Sequence, residues 1–106
     1  MGYLPGDRIL AQWEGGPLWF PGTVHSLNGN SIAIQYDDGT SEIRPDNQVK
    51  PFDWRPGSAI DAVWSGNGQW FAAHILEISR DGRTILVCYD DDNSEEERPS
   101  ALCRSH

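Results

Sequence analysis

The chain predicts an all-β protein built as two small, strongly bent antiparallel barrels in tandem. Three observations carry this. The sequence repeats itself at a spacing of 51 residues. Each repeat is a series of short alternating runs separated by turn residues. No stretch keeps a 3.6-residue apolar period long enough for a helix.

The repeat is read residue by residue. Pro5-Gly6 returns as Pro56-Gly57, and Ile9, Ala11 and Trp13 return as Ile60, Ala62 and Trp64. Gly15, Trp19, Phe20 and Val24 match Gly66, Trp70, Phe71 and Ile75. A two-residue insertion then sets Ile32, Ile34, Tyr36, Asp37 and Asp38 against Ile85, Val87, Tyr89, Asp90 and Asp91. The copies close with Glu42, Arg44-Pro45 and Val49 against Glu95, Arg98-Pro99 and Leu102. This places one barrel in residues 1–52, a linker in 53–56 and a second barrel in 57–106. The connector Phe52-Asp53-Trp54-Arg55 is short and carries two aromatics, unlike a Gly/Ser tether, so the two barrels are expected to pack together. A shared interface would also ease the marginal stability of 50-residue units.

Within the first copy, Ile9, Ala11 and Trp13 alternate with Arg8, Leu10 and Gln12, the signature of a half-buried strand. Pro17 interrupts the chain before a second run from Trp19 to about Leu27. Asn28-Gly29-Asn30 turns it, as Asp81-Gly82 does in the second copy. Ile32, Ile34 and Tyr36 share one face of a third strand. Asp37-Asp38-Gly39 leads into a fourth, and residues 44–49 form a tight helical turn into a short closing strand.

Charge and cysteine content narrow the function. Sixteen acidic and eight basic residues give a formal charge of -8, split evenly at -4 per half. Phosphate recognition needs a basic face, so nucleic acid is not expected as a ligand, and Arg80 and Arg83 are too few to reverse that. A basic peptide or protein would be steered in. Cys88 and Cys103 do not make a disulfide framework and are expected as free thiols of a reducing compartment. The first residues have no leader-like segment, and no apolar run reaches the ~18 residues of a membrane span. The expectation is an intracellular protein, nuclear in a eukaryote and cytoplasmic in a bacterium, that needs no cofactor; a monomer is favoured, with the oligomeric state left open.

Trp13 followed seven positions later by Phe20-Pro21-Gly22, then a Val/Ile-rich strand ending in Tyr36-Asp37-Asp38-Gly39, resembles a Tudor domain. Trp64, Phe71 and Tyr89-Asp90-Asp91 repeat the pattern, so nearly the whole chain resembles a tandem Tudor (Tudor/agenet-like) protein. The resemblance implies two five-stranded SH3-like barrels. It also implies aromatic cages for methylated lysine or arginine, often on histone tails in chromatin. Carried over by position, the first cage is Trp13, Phe20, Tyr36 and Asp38, and the second is Trp64, Phe71, Tyr89 and Asp91. The family often adds an aromatic two residues past this Asp, where the chain has Thr40 and Asn93. The physics agrees with such a site. Each ring face attracts a cation by roughly 0.5–2 kcal/mol, and a carboxylate accepts the N–H that mono- and dimethyl-lysine retain.

Plainer roles stand beside these. By parity with Ile9 and Ala11, Trp13 and Trp64 fall on the core side of their strands. Trp19 and Trp70 point opposite to Phe20 and Phe71, towards the core or between the barrels. Asp37-Asp38-Gly39 is a good hairpin turn whatever its function, and its glycine, replaced by Asp92 in the second copy, favours the first copy as the working site. The acidic run from Asp90 to Glu97 reads as a solvated loop that also suits a basic peptide. It lacks the glycine and flanking helices of an EF-hand.

Catalytic chemistry is not encoded. His25, His74 and His106 with two isolated cysteines make no zinc spacing, and no nucleophile motif, phosphate loop or dinucleotide fingerprint occurs. The chain is therefore expected to be a binding module, either a methyl-mark reader or a protein-interaction and assembly module of the same barrels.

Overall fold

The structure is a computed structural model, and it describes residues 2–106. Two five-stranded antiparallel sheets account for it, and among the described residues the helical segments are single 3-10 turns. In the first unit β1 is Arg8–Gln12, β2 Trp19–Asn28, β3 Ser31–Tyr36, β4 Ser41–Pro45 and β5 Val49–Pro51. In the second, β6 is Ala59–Val63, β7 Trp70–Ile78, β8 Thr84–Tyr89, β9 Glu95–Pro99 and β10 Cys103–Arg104. The strand orders, β4-β3-β2-β1-β5 and β9-β8-β7-β6-β10, are the same topology twice. The chain divides into these two compact units between Asp53 and Trp54.

The long second strand of each unit carries the bend. A register shift falls at His25 in β2, between Val24 and Ser26, and at Leu76 in β7, between Ile75 and Glu77. An extra residue on one strand tightens the twist and lets a flat ribbon curl over its own core. The turns use the punctuation read from the sequence, with Gly29 and Gly82 at positive φ between the second and third strands.

Each core is the inward face of one sheet. Ile9, Ala11, Val24, Ile32, Ile34, Tyr36 and Val49 form the first, with Tyr3 and Phe20 packed against it. Ile60, Ala62, Ile75, Ile85, Val87, Tyr89 and Cys103 are buried at the corresponding places in the second, with Ala73 buried at the place of Gly22.

This pairing corrects two matches made from sequence. Val49, which opens β5 after its 3-10 turn, corresponds to Cys103 rather than Leu102, because Cys103 opens β10 in the same way. Glu42 corresponds to Glu96 rather than Glu95, because Ile34 faces Glu42 across the ladder as Val87 faces Glu96. The acidic run is only partly a loop, since β9 begins at Glu95.

Cys88 and Cys103 are free thiols. Burial pushes the Cys103 thiol from its ordinary 9 up to about 12. In the unfolded chain this thiol ionises above pH 9, whereas the folded one stays protonated, so the stability it contributes below that pH is lost as pH climbs towards 12. The slope is about 1.4 kcal/mol per pH unit. Cys103→Val, which installs the residue of the first unit, removes this contribution. Thermal melts from roughly pH 8 to 11 should show the wild type losing Tm faster than the variant, and equal slopes would refute the assignment.

Candidate functional site

The tryptophan that follows the first strand of each unit lies outside the core. β1 stops at Gln12 and β6 at Val63, so the alternation that would have pointed Trp13 and Trp64 inward stops one residue earlier. Trp13 enters a 3-10 turn in which Glu14 takes a left-handed conformation (φ 52°). Trp64 opens a loop closed by its own N–H donating to the Gln69 carbonyl at 2.9 Å and by the Gly68 N–H donating back to the Trp64 carbonyl at 2.9 Å. The two indoles are 47% and 41% exposed. The expectation that strand parity buries them fails for this reason.

Phe20 faces Ala11 across the ladder and Phe71 faces Ala62, so both rings stand on the core face beside the exposed indole. Trp13 and Phe20 meet edge to face at 6.4 Å and 75°, and Trp64 and Phe71 at 6.1 Å and 84°. The third ring comes from the end of the third strand. Tyr36 and Tyr89 are each only 4% exposed.

In the second unit these three rings, with Asp91, Asp92 and Ser94, line an open cavity of about 120 Å³. All four residues of the second predicted cage therefore border one cavity. In the first unit Trp13, Phe20 and Tyr36 keep the same stations, while the Asp38 carboxylate is held by the Thr40 amide (2.9 Å) and hydroxyl (2.6 Å).

That turn fixes the correspondence of the two acidic loops. Asp92 accepts from the Ser94 amide (3.0 Å) and hydroxyl (2.7 Å) as Asp38 does from Thr40. Asn93, at φ 59°, takes the left-handed place of Gly39 at φ 93°. The second loop is thus one residue longer, and the turn glycine is replaced by Asn93, not Asp92. Asparagine tolerates this conformation better than other side chains, so the loop closes without glycine. Hydrogen bonds from the Ser94 amide and hydroxyl hold the Asp92 carboxyl below its usual range, which keeps the cavity rim anionic. The residue two past this Asp is Ser94, a counterpart of Thr40, and it lines the cavity where the family pattern would have an aromatic.

A glutamate in the fourth strand joins the walls, and the sequence reading did not assign it. Tyr36 donates its hydroxyl to Glu42 at 2.6 Å, and Glu42 also accepts the Glu14 N–H at 3.0 Å. Tyr89 lies 2.7 Å from Glu96 and 3.2 Å from the Val63 carbonyl, and Glu96 accepts the Ser65 N–H (3.1 Å) and hydroxyl (2.7 Å). Each carboxylate ties the buried tyrosine to the residue after the exposed tryptophan. Burial pushes both phenols up, and the hydrogen bond to the carboxylate adds to it. Burial alone would raise the Glu96 carboxyl, but donation from Ser65 and Tyr89 outweighs it and holds the group low. The available signal was the shared spacing Thr40-x-Glu42 and Ser94-x-Glu96.

The other tryptophans are already occupied. Trp19 faces outward opposite Gln12, and Lys50 Nζ stands 4.5 Å from its ring centre. At the matching place Arg104 Cζ lies 4.1 Å over Trp70 while its Nε is 3.2 Å from Asp61. Trp54 is buried.

The outer faces of the sheets differ more. A groove of about 440 Å³ in the first unit is bordered by His25, Ala33, Gln35, Ser41 and Ile43. Leu86 and Glu97 hold the places of Ala33 and Ile43 in the second, where the concavity is about 170 Å³. No cluster of three metal-ligating side chains occurs among the described residues.

Comparison with known proteins agrees with this architecture. The crystal structure of Crb2 tandem tudor domains aligns with 100% of this chain and 82% of its own, at a TM-score of 0.68 and 16% identity. The ADCP1 tandem Agenet domain 3-4 aligns with 96% of the chain and 79% of its own, at 0.44 and 15% identity. The AGDP1 AGD34 structure from Arabidopsis thaliana aligns with 96% and 81%, at 0.44 and 16% identity. No curated protein sequence matches the chain. The fold is that of tandem Tudor domains. Residues 57–104, the second unit almost entire, match the Agenet domain family.

Proposed function

We propose that the chain reads a methylated lysine or arginine in a basic, histone-tail-like peptide, and that the cavity of the second unit receives the cation. The observation that carries this is the cavity itself: Trp64 and Phe71 at nearly a right angle, Tyr89 behind them and Asp91 and Asp92 at the rim. A methylated ammonium keeps its charge but has shed hydration, so it enters such a box at a smaller desolvation cost than an unmodified one. Ring faces worth roughly 0.5–2 kcal/mol each, with a carboxylate, correspond to micromolar-class affinity. Because Tyr89 spends its hydroxyl on Glu96, it offers the ligand only its ring. The N–H of a mono- or dimethyl-lysine then falls to the rim carboxylates. The overall charge of -8 draws basic flanking residues to the same surface. In a eukaryotic cell this reading places the protein with chromatin in the nucleus.

The test is a titration of peptides bearing unmodified, mono-, di- and trimethyl-lysine and methylarginine, followed by tryptophan fluorescence and calorimetry. Methylated forms should bind at least about ten-fold tighter than the unmodified peptide. Binding no better than millimolar for every peptide would end this reading and leave the assembly role.

A further inference from the structure

We infer that Gly66 is the positioning residue that sets Trp64 as a wall of the cation pocket, which makes the second unit the pre-set site of the two. The inference rests on the reading of the pocket given above and adds what holds its most exposed ring in place.

Trp64 projects from a loop with 41% of its surface in solvent, and an exposed indole ordinarily samples several rotamers. Here the far end of the ring lies against the backbone of Gly66. A Cβ at that position would stand 2.5 Å from Cζ2 and 2.7 Å from Cζ3 of the indole, and closer still to Cη2. Its three nearest neighbours are all atoms of this one ring, so the space a side chain would take at residue 66 is the space the indole occupies.

The rest of the loop is fixed around the contact. Ser65 is clamped to Glu96 through its amide and hydroxyl, and Gly68 bonds back to the Trp64 carbonyl. With the backbone on one side and Phe71 edge-on at 6.1 Å, the ring is held before any ligand arrives. Pre-ordering a rotamer-rich side chain removes an ordering cost of about 0.5–1.5 kcal/mol from binding.

The first unit lacks this arrangement. Gly15 is the sequence counterpart of Gly66, yet a Cβ there would meet Arg44 Nη1 at 3.0 Å and Gln48, with no Trp13 atom among its nearest neighbours. Gly15 serves its own positive φ of 74°, and its nearest neighbours belong to Arg44 and Gln48 instead of the indole. The same residue type at the same repeat position thus does two different jobs.

The decisive variant is Gly66→Ala, measured beside Trp64→Phe and the double variant in the full chain. The probes are tetramethylammonium and Nα-acetyl-dimethyl-lysine amide. Because only a movable ring end obstructs the new methyl, the fold should persist with Tm within a few degrees. The indole N–H resonance of Trp64 should move, and both probes should bind about ten-fold more weakly. In the Trp64→Phe background, whose shorter ring stops short of residue 66, Gly66→Ala should cost little more. An unmoved Trp64 resonance, or the same loss of affinity in both backgrounds, overturns the inference. Failure of the wild type to bind either probe overturns the pocket reading instead, and the resonance alone then decides the role of Gly66.

Discussion

Trp64→Ala should remove recognition of a methylated ammonium while leaving the melting temperature almost unchanged. The indole is 41% exposed and shares its inner edge with Phe71 at 6.1 Å. Its loss deletes one cation-facing ring, roughly 0.5–2 kcal/mol, and opens the cavity to water that screens the attraction of Asp91 and Asp92. Together these predict at least about a ten-fold rise in Kd, measured by calorimetry. Stability should fall by less than about 1 kcal/mol, since the ring stands outside the buried core and the space it leaves opens to solvent. Trp13→Ala should be equally mild on stability and milder on binding. A collapsed melting transition in Trp64→Ala would show the ring to be a core residue, and unaltered binding in both variants would move the site elsewhere.

Ile34→Ala should behave in the opposite way. Ile34 is 1% exposed, lies opposite Val24 and Glu42 in the centre of the first sheet and belongs to its core cluster. Deleting its outer carbons leaves a void that a sheet pinned on both sides cannot close, at a cost of about 2–5 kcal/mol. A unit of this size has a small core and a correspondingly small margin, so the loss is a large share of what holds it together. Urea titration followed by near-UV circular dichroism should show the first unit unfolding at much lower denaturant. A shift under about 1 kcal/mol would mean that the site is able to collapse around alanine.

Most strands were legible because their period-two alternation and the Asn28-Gly29 and Asp81-Gly82 turns act locally. The exit of Trp13 and Trp64 from the core was not, since parity counts residues and does not reveal where a strand stops. The clamp residues Glu42 and Glu96 were also hidden. They reach across to Tyr36 and Tyr89 and to the loops behind Trp13 and Trp64, over separations as long as 31 residues, and a charged residue on an edge strand looks solvated until its partners are placed. The one-residue lengthening of the second acidic loop misaligned the repeat. Only the paired Asx turns of Asp38 with Thr40 and Asp92 with Ser94 reveal it.

The shifting offset between the copies also bears on how such a protein diverges after duplication. The offset is 51 through the second strand, 53 through the third and 54 beyond the acidic loop, so length changes have entered only at turns. Meanwhile the cores exchange near-equals, Val24 for Ile75, Ile34 for Val87 and Val49 for Cys103. The larger differences lie outside the cores: the first unit pairs Arg8 with Asp37 where the second has Ala59 and sets His74 against Asp90, and Ile43 stands where the second has Glu97. The two units thus share nearly the same interior under separate exteriors, so a substitution on one outer face changes that face without altering its counterpart.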